Sequence, residues 1–242
     1  MARKSKTPPP PRPVQAPRAR TDAGERRTRL LLYGFAAVGL LALAGVLAFA
    51  FVGGSDDDDG GSTKSLAALM TSAGCEYKDV KGKKPPNGQQ HIESLTTPVE
   101  WNTFPPSNGQ HFGEWGVWGF YEEAVNPRLV VHNEEHGGVV LWWGPQTPQA
   151  EVERLNTFYS DDPVSMFGTP IAGLGRKVAI SGWTGDPATY QRDGDFGEGH
   201  LAVCQKFDDA TEEAFTAFRD KFRGNGPEGV PADQNQPGSG PG

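Results

Sequence analysis

Apolar residues change rhythm along this chain, and each rhythm predicts a different element. Residues 30–52, opening at Leu30 and closing at Val52, form one uncharged apolar run. A helix of ~20 such residues crosses the hydrocarbon core of a bilayer, so this run predicts a transmembrane helix. Beyond it the apolar stretches are short and punctuated by Gly, Pro and Asn. Helical spacing predicts a short helix over 65–73, with Thr63 as cap, Leu66, Leu69 and Met70 on one face and Gly74 as the stop. It predicts a second over 148–160, with Thr147 as cap, Pro148 at the first position and Val152, Leu155 and Phe158 or Tyr159 inward. A third starts at Asp209 with Glu212 in a capping-box relation, carries Phe215, Phe218 and Phe222, and ends at Gly224. Strand patterns fall at 164–170, 177–182 and 200–207, the last placing His200, Ala202 and Cys204 on one face. From Arg128 to Trp143 the residues are mainly β-branched, aliphatic or aromatic, broken by Gly137-Gly138, which predicts strand, short turn, strand. Residues 224–242 are a Pro/Gly/Gln tail with no core pattern, which predicts disorder. Helices and strands mix without regular βαβ alternation. The expectation is one α+β domain over 62–223.

Charge orients this layout. Residues 1–29 hold nine Lys or Arg against two acids, a net +7 that leaves −14 for the rest of a chain whose total is −7. Arg26, Arg27 and Arg29 precede the apolar run and Asp56, Asp57, Asp58 and Asp59 follow it. The positive-inside rule puts the basic, proline-rich segment 1–29 in the cytoplasm as a disordered tail and the main domain outside. Residues 53–61 read as an acidic, flexible spacer. Ala48-Phe49-Ala50 resembles a signal-peptidase site, the competing reading, but 30–52 is longer than a signal h-region of ~7–15 residues and favours an uncleaved anchor. An acidic outer body argues against nucleic acid as a partner. The membrane, through 30–52, and an envelope protein are the partners this layout suggests.

Two cysteines, Cys75 and Cys204, stand far apart. In an exported domain an even count suggests one disulfide; a pair of metal-binding thiolates is the alternative, and no C-x-x-C spacing supports a redox or zinc-ribbon role.

The candidate chemistry lies in the histidines. His132 and His136, four apart, share a face in a helix or a strand. A helix would bring Glu135 beside them; a strand would bring Glu134. The string His132 to His136 also fits H-x-x-E-H, the inverted zinc-protease motif, which requires a long helix. His91 and His111 each end a P-P-x-x-x-x-H unit, from Pro85 and from Pro105, with Asn-Gly turns that present each ring after a stiff bend. Trp101, Phe104, Phe112, Trp115, Trp118, Phe120 and Tyr121 crowd the same region, as core filling or as an aromatic wall.

These residues resemble a family. Pro105-Pro106-Ser107-Asn108-Gly109-Gln110-His111 is similar to a P-P-T-S-G-P-H element, and 131–140 to V-H-x-L-E-H-G-x-V, of the bacterial domain-of-unknown-function family 3105, typically membrane-anchored and exported. His91 and Gly226-Pro227-Glu228 match it in order, so the resemblance spans about 74–228. Glu134 stands where the family has leucine, which leaves Glu135 as the motif carboxylate. The family carries no activity to transfer.

Three functions follow from the residues. The first is a membrane-tethered domain that holds a divalent transition metal, copper or zinc, with His91, His111, His132, His136 and Glu135, for metal handling. The second is a metal-free envelope interaction domain with the histidines hydrogen-bonded in its core. The third is a metallohydrolase using a bound water. His200 is expected to lie outside the cluster.

Overall fold

A computed structural model of the chain describes residues 65–192 and 194–241. The expected cytoplasmic tail, apolar run and acidic spacer all lie outside them. Among the described residues no helix is long and apolar enough to cross a membrane.

The architecture is α+β. Helix α1 (Leu66–Ser72) leads into β1 (Cys75–Lys81). Two-residue strands β2 (His91–Ile92) and β3 (His111–Phe112) follow, then α2 (Pro127–Glu135) and β4 (Val139–Trp143). The order continues with α3 (Gln149–Asp161), β5 (Met166–Pro170), β6 (Val178–Thr184), β7 (Glu198–Cys204) and α4 (Asp209–Phe222), and closes with a 3₁₀ turn, Ala232–Gln234. The main sheet runs β1-β7-β6-β4-β5; β4 and β5 are parallel and the other neighbours antiparallel.

Both faces of this sheet are covered, which explains why β4 is buried at every position. Val139, Leu141 and Trp143 join Ile180, Ala202 and the α4 residues Phe215 and Phe218 in one core. Val140 and Trp142 point the other way, toward Trp118, Phe167 and Val130 of α2. The strand period of two therefore sorts one sequence into two cores. Cys75 and Cys204 are directly opposite in the β1–β7 register and form a disulfide, with Cα atoms 4.1 Å apart and a sequence separation of 129.

Four local expectations are corrected. The stretch 128–143 is helix then strand, not two strands. Asn126 caps α2 through its side chain, which accepts from Arg128 N, and Pro127 opens the helix. Gly137 at φ +82 and Gly138 then close a Schellman turn: Gly137 N donates to Glu134 O and Gly138 N to Asn133 O, both at 2.9 Å. The tertiary contacts of Val130 and Val131, both fully buried, override their β preference. The 224–242 segment is not a coreless tail as far as it is described. Asn235 is buried and its Nδ2 donates to His136 O at 3.0 Å, while Trp118 N donates to Ser239 O at 2.9 Å. The caps of α1 and α4 are Ser65, expected as the first residue of its helix, and Asp208, one residue before the expected start; Thr63, the cap expected for α1, lies outside the described residues. Pro148, expected at the first helical position, itself occupies the cap of α3, and Thr147 instead bridges Gly144 N and Lys177 O.

Candidate metal centre

The site forms where the last turn of α2 meets the β2–β3 pair. His91 and His111 are register partners in that parallel pair, so one imidazole stands beside the other, ring centres 4.9 Å apart. The two P-P-x-x-x-x-H units make this possible. Gly88 and Gly109 both adopt positive φ after their asparagines, the conformation that glycine tolerates without cost. Gln110 ties the turns together by donating to Asn87 Oδ1 at 2.9 Å and to Gln89 O at 2.7 Å. Asn108 anchors the second unit on β1 by donating to Val80 O at 2.9 Å.

Helix α2 supplies the rest. His132, Glu135 and His136 share the inward side of its last turn, as the i, i+3, i+4 relation dictates. Asn133 holds the helix in place: its Oδ1 accepts from Gly116 N and its Nδ2 donates to Gly116 O, both at 2.8 Å. Glu134 points elsewhere. It is fully buried, accepts from Ser181 Oγ–H, which itself accepts from Trp142 Nε1–H at 2.7 Å, and its other oxygen has no partner. Burial holds its carboxyl well above the usual range despite the Ser181 hydrogen bond.

The distances centre on Glu135 Oε2. His111 Nε2 lies 2.8 Å from it, His91 Nε2 3.5 Å and His132 Nε2 3.9 Å. The ligand atoms of these four residues all lie within 4.8 Å of one another. The His91 side chain is 48% exposed, whereas those of His111, His132 and Glu135 are 0%, 5% and 0% exposed. Glu135's second oxygen accepts from Tyr190 O–H, and Tyr190 O accepts in turn from Gln90 Nε2 at 3.1 Å. Burial pushes the Glu135 carboxyl upward, but the His111 and His91 imidazoles beside it and the Tyr190 hydroxyl outweigh that and hold the group below the ordinary range. Burial, reinforced by His111, pushes His132 down to about 4, so that ring is neutral at pH 7. The Glu135 carboxylate, against the opposing effect of burial, raises His91.

Backbone carbonyls set the tautomers. Gly109 O accepts from His111 Nδ1 and Phe112 O accepts from His132 Nδ1, both at 2.8 Å. In its neutral form each ring therefore turns an Nε2 lone pair inward. In that form lone pairs and a carboxylate oxygen converge, and His111 Nε2 and Glu135 Oε2 are both buried without a hydrogen-bond partner. A cation at the centre satisfies this arrangement, and the carbonyl-to-Nδ1 bond is the usual outer support of a metal-bound histidine.

His136 is displaced from this group. Its Nε2 lies 3.1 Å from His132 Nε2 and 3.1 Å from Glu228 Oε2. Sequence reasoning marked Gly226-Pro227-Glu228 only as part of a resemblance and did not assign Glu228 to the site. Nor did it find Tyr190, which carries no motif. Of the aromatics, Trp115 walls the site against His132 and His136, at 5.5 and 4.6 Å between ring centres, while Trp118, Phe120 and Tyr121 fill cores. His200 stands apart, between Asp79 and Thr184, and stacks on Phe222.

Fold and site together define a disulfide-closed α+β domain with a His/Glu cage of metal-ligand spacing on one helix end. The chain belongs to the family described as Protein of unknown function (DUF3105), which matches residues 91–235. The match begins at His91, later than residue 74, and runs past Glu228 to include the buried Asn235. No curated protein and no solved structure matches the chain.

Proposed function

We propose that this domain binds one divalent transition metal, copper(II) or zinc(II), through His91, His111, His132 and Glu135, and serves metal handling outside the cytoplasmic membrane. The observation that carries the reading is the pair of backbone carbonyls that claim the Nδ1 hydrogens of His111 and His132 and so aim both Nε2 lone pairs at the Glu135 carboxylate. Three imidazoles and one carboxylate suit either metal. The location rests on the apolar run 30–52 with arginines before it and aspartates after it, and on the Cys75–Cys204 disulfide, which suits an oxidising compartment.

The 2.8 Å approach of His111 to Glu135 also supports the second reading, a metal-free envelope interaction domain. A doubly protonated His111 would make that contact a buried ion pair and close the cage by itself.

Elemental analysis of the purified full chain separates them. The metal reading expects close to one equivalent of copper or zinc per chain, lost in His111→Ala and in His132→Ala and kept in His200→Ala. Chains without bound metal, and without affinity for added zinc or copper, would leave the interaction domain as the reading.

A further inference from the structure

We infer that His136 and Glu228, with His132, form a second, outer seat for a divalent transition metal, through which the ion reaches and leaves the inner cage. This rests on the inner cage being the metal seat proposed above. His132 Nε2 faces both ways: it is 3.9 Å from Glu135 Oε2 on one side and 3.1 Å from His136 Nε2 on the other. Glu228 Oε2 completes the outer group at 3.1 Å from His136, and the ligand atoms of His132, His136 and Glu228 all lie within 4.8 Å of one another. Ligand atoms around a four-coordinate ion with ~2.0–2.1 Å bonds sit about 3.4 Å apart, so these spacings suit coordination.

Glu228 is placed there by design of the backbone. The segment 224–229 crosses the end of α2: Gly224 N donates to Gly137 O at 2.8 Å and Glu228 N to Glu135 O at 3.4 Å. Gly226 packs so tightly against Gly137 that a side chain at 226 would run into its nitrogen. Glycine is required on both sides of this crossing, and the result is a carboxylate delivered to His136. The seat also lies at the C-terminal end of α2, where the helix dipole favours a cation.

Burial gives the two seats their order. In the inner cage His111, His132 and Glu135 are closed off, and an ion must shed its water to reach them. The Glu228 side chain is 33% exposed, the most open of the outer three. Transfer then needs only ligand exchange. His132 stays bound while His136 and Glu228 leave the ion and His111, His91 and Glu135 take it. No electron changes hands in that step, and any proton still on an incoming imidazole leaves to solvent. The exposed edge of His91 is the competing way in.

Cobalt(II) uptake by the full chain, followed through its ligand-field absorption, tests the inference. Glu228→Gln is expected to slow both uptake and release to a chelator by about tenfold. Asp233→Asn, an equal charge change at an exposed acid of the same C-terminal segment, should leave both rates alone. His111→Ala should abolish tight binding but keep a weak cobalt signal, which adding Glu228→Gln should remove. Unchanged rates in Glu228→Gln would overturn the outer seat and point to the His91 edge. Loss of equilibrium affinity as complete as in His111→Ala would overturn it too, by making Glu228 part of one undivided site. A wild-type chain with no cobalt signal at all would refute the inner cage itself, a distinct result.

Discussion

At the scale of single residues, two buried histidines show opposite uses of the same side chain. His111 turns an unpartnered Nε2 into a cage, whereas both nitrogens of His200 have partners: Asp79 at Nδ1, 2.6 Å, and Thr184 at Nε2, 2.8 Å. That difference marks one as a ligand candidate and the other as a structural residue. His200 also yields a pH prediction. Burial, stronger than the opposing pull of Asp79, keeps its folded pKa below the ordinary 6.5, so the unfolded chain binds the proton more readily. Its contribution to stability is complete above about pH 6.5 and is lost as pH falls from there through the folded value. In chelator, to keep metal out of the comparison, His200→Gln should be less stable than wild type at pH 7.5 by about 1–2 kcal/mol, through the lost stacking on Phe222 and the lost bond to Asp79. The gap should narrow toward pH 5. Urea midpoints at several pH values measure it, and a gap that stays constant would refute the assignment.

At the scale of the element, the end of α2 decides the site. The Schellman turn at Gly137 stops the helix after Glu135 and His136, and the 224–229 crossing packs on that stop. Gly137→Ala should therefore cost stability twice. The residue must adopt φ +82, and its Cβ would lie 2.9 Å from Gly226 N and 3.0 Å from Gly224 Cα. A loss of about 1–2 kcal/mol from the backbone conformation alone is expected, and more from displacing the crossing. Denaturant unfolding reads the total. If Glu228 serves an outer seat, the same variant should also take up cobalt more slowly, although no ligand has been changed. The element was only half legible in sequence. Asn126-Pro127 at the start and Gly137-Gly138 at the stop are helix signals, yet the run of valines between and beyond them read as strand. Valine at 130 and 131 belongs to the core under a helix, while valine at 139 and 140 belongs to a sheet buried on both faces. Both environments select the same apolar residues, so composition could not tell them apart.

At the scale of the whole molecule, one covalent bond ties the start of the domain to its last strand. The Cys75–Cys204 bridge spans 129 residues, and on the chain-entropy account it contributes about 4–5 kcal/mol. If the domain lies outside the membrane, protease added to intact cells should remove it and leave an anchored stub. In protein collected from that compartment neither thiol should label before reduction. After reduction both should label, and the midpoint of unfolding should fall. A secreted mature chain beginning near Phe51 would sink the anchor, and free thiols in the exported protein would sink the compartment argument.

The sequence by itself determined the local geometry that does not depend on distant contacts. Proline stiffness and Asn-Gly turns put His91 and His111 at the ends of two alike units, and the spacing of His132, Glu135 and His136 ensured one shared face once a helix formed. Charge and cysteine count suggested the bridge before any fold was known. Tertiary structure alone decided what those pieces meet. The β2–β3 pairing sets His91 beside His111, Phe112 O and Gly109 O choose the tautomers, Tyr190 holds the far oxygen of Glu135, and residues 224–229 bring Glu228 to His136 across more than ninety positions of chain. The reason is physical. Such partners are selected by backbone groups and packing, which every residue possesses, and so they leave no mark in the identity of the residues that provide them.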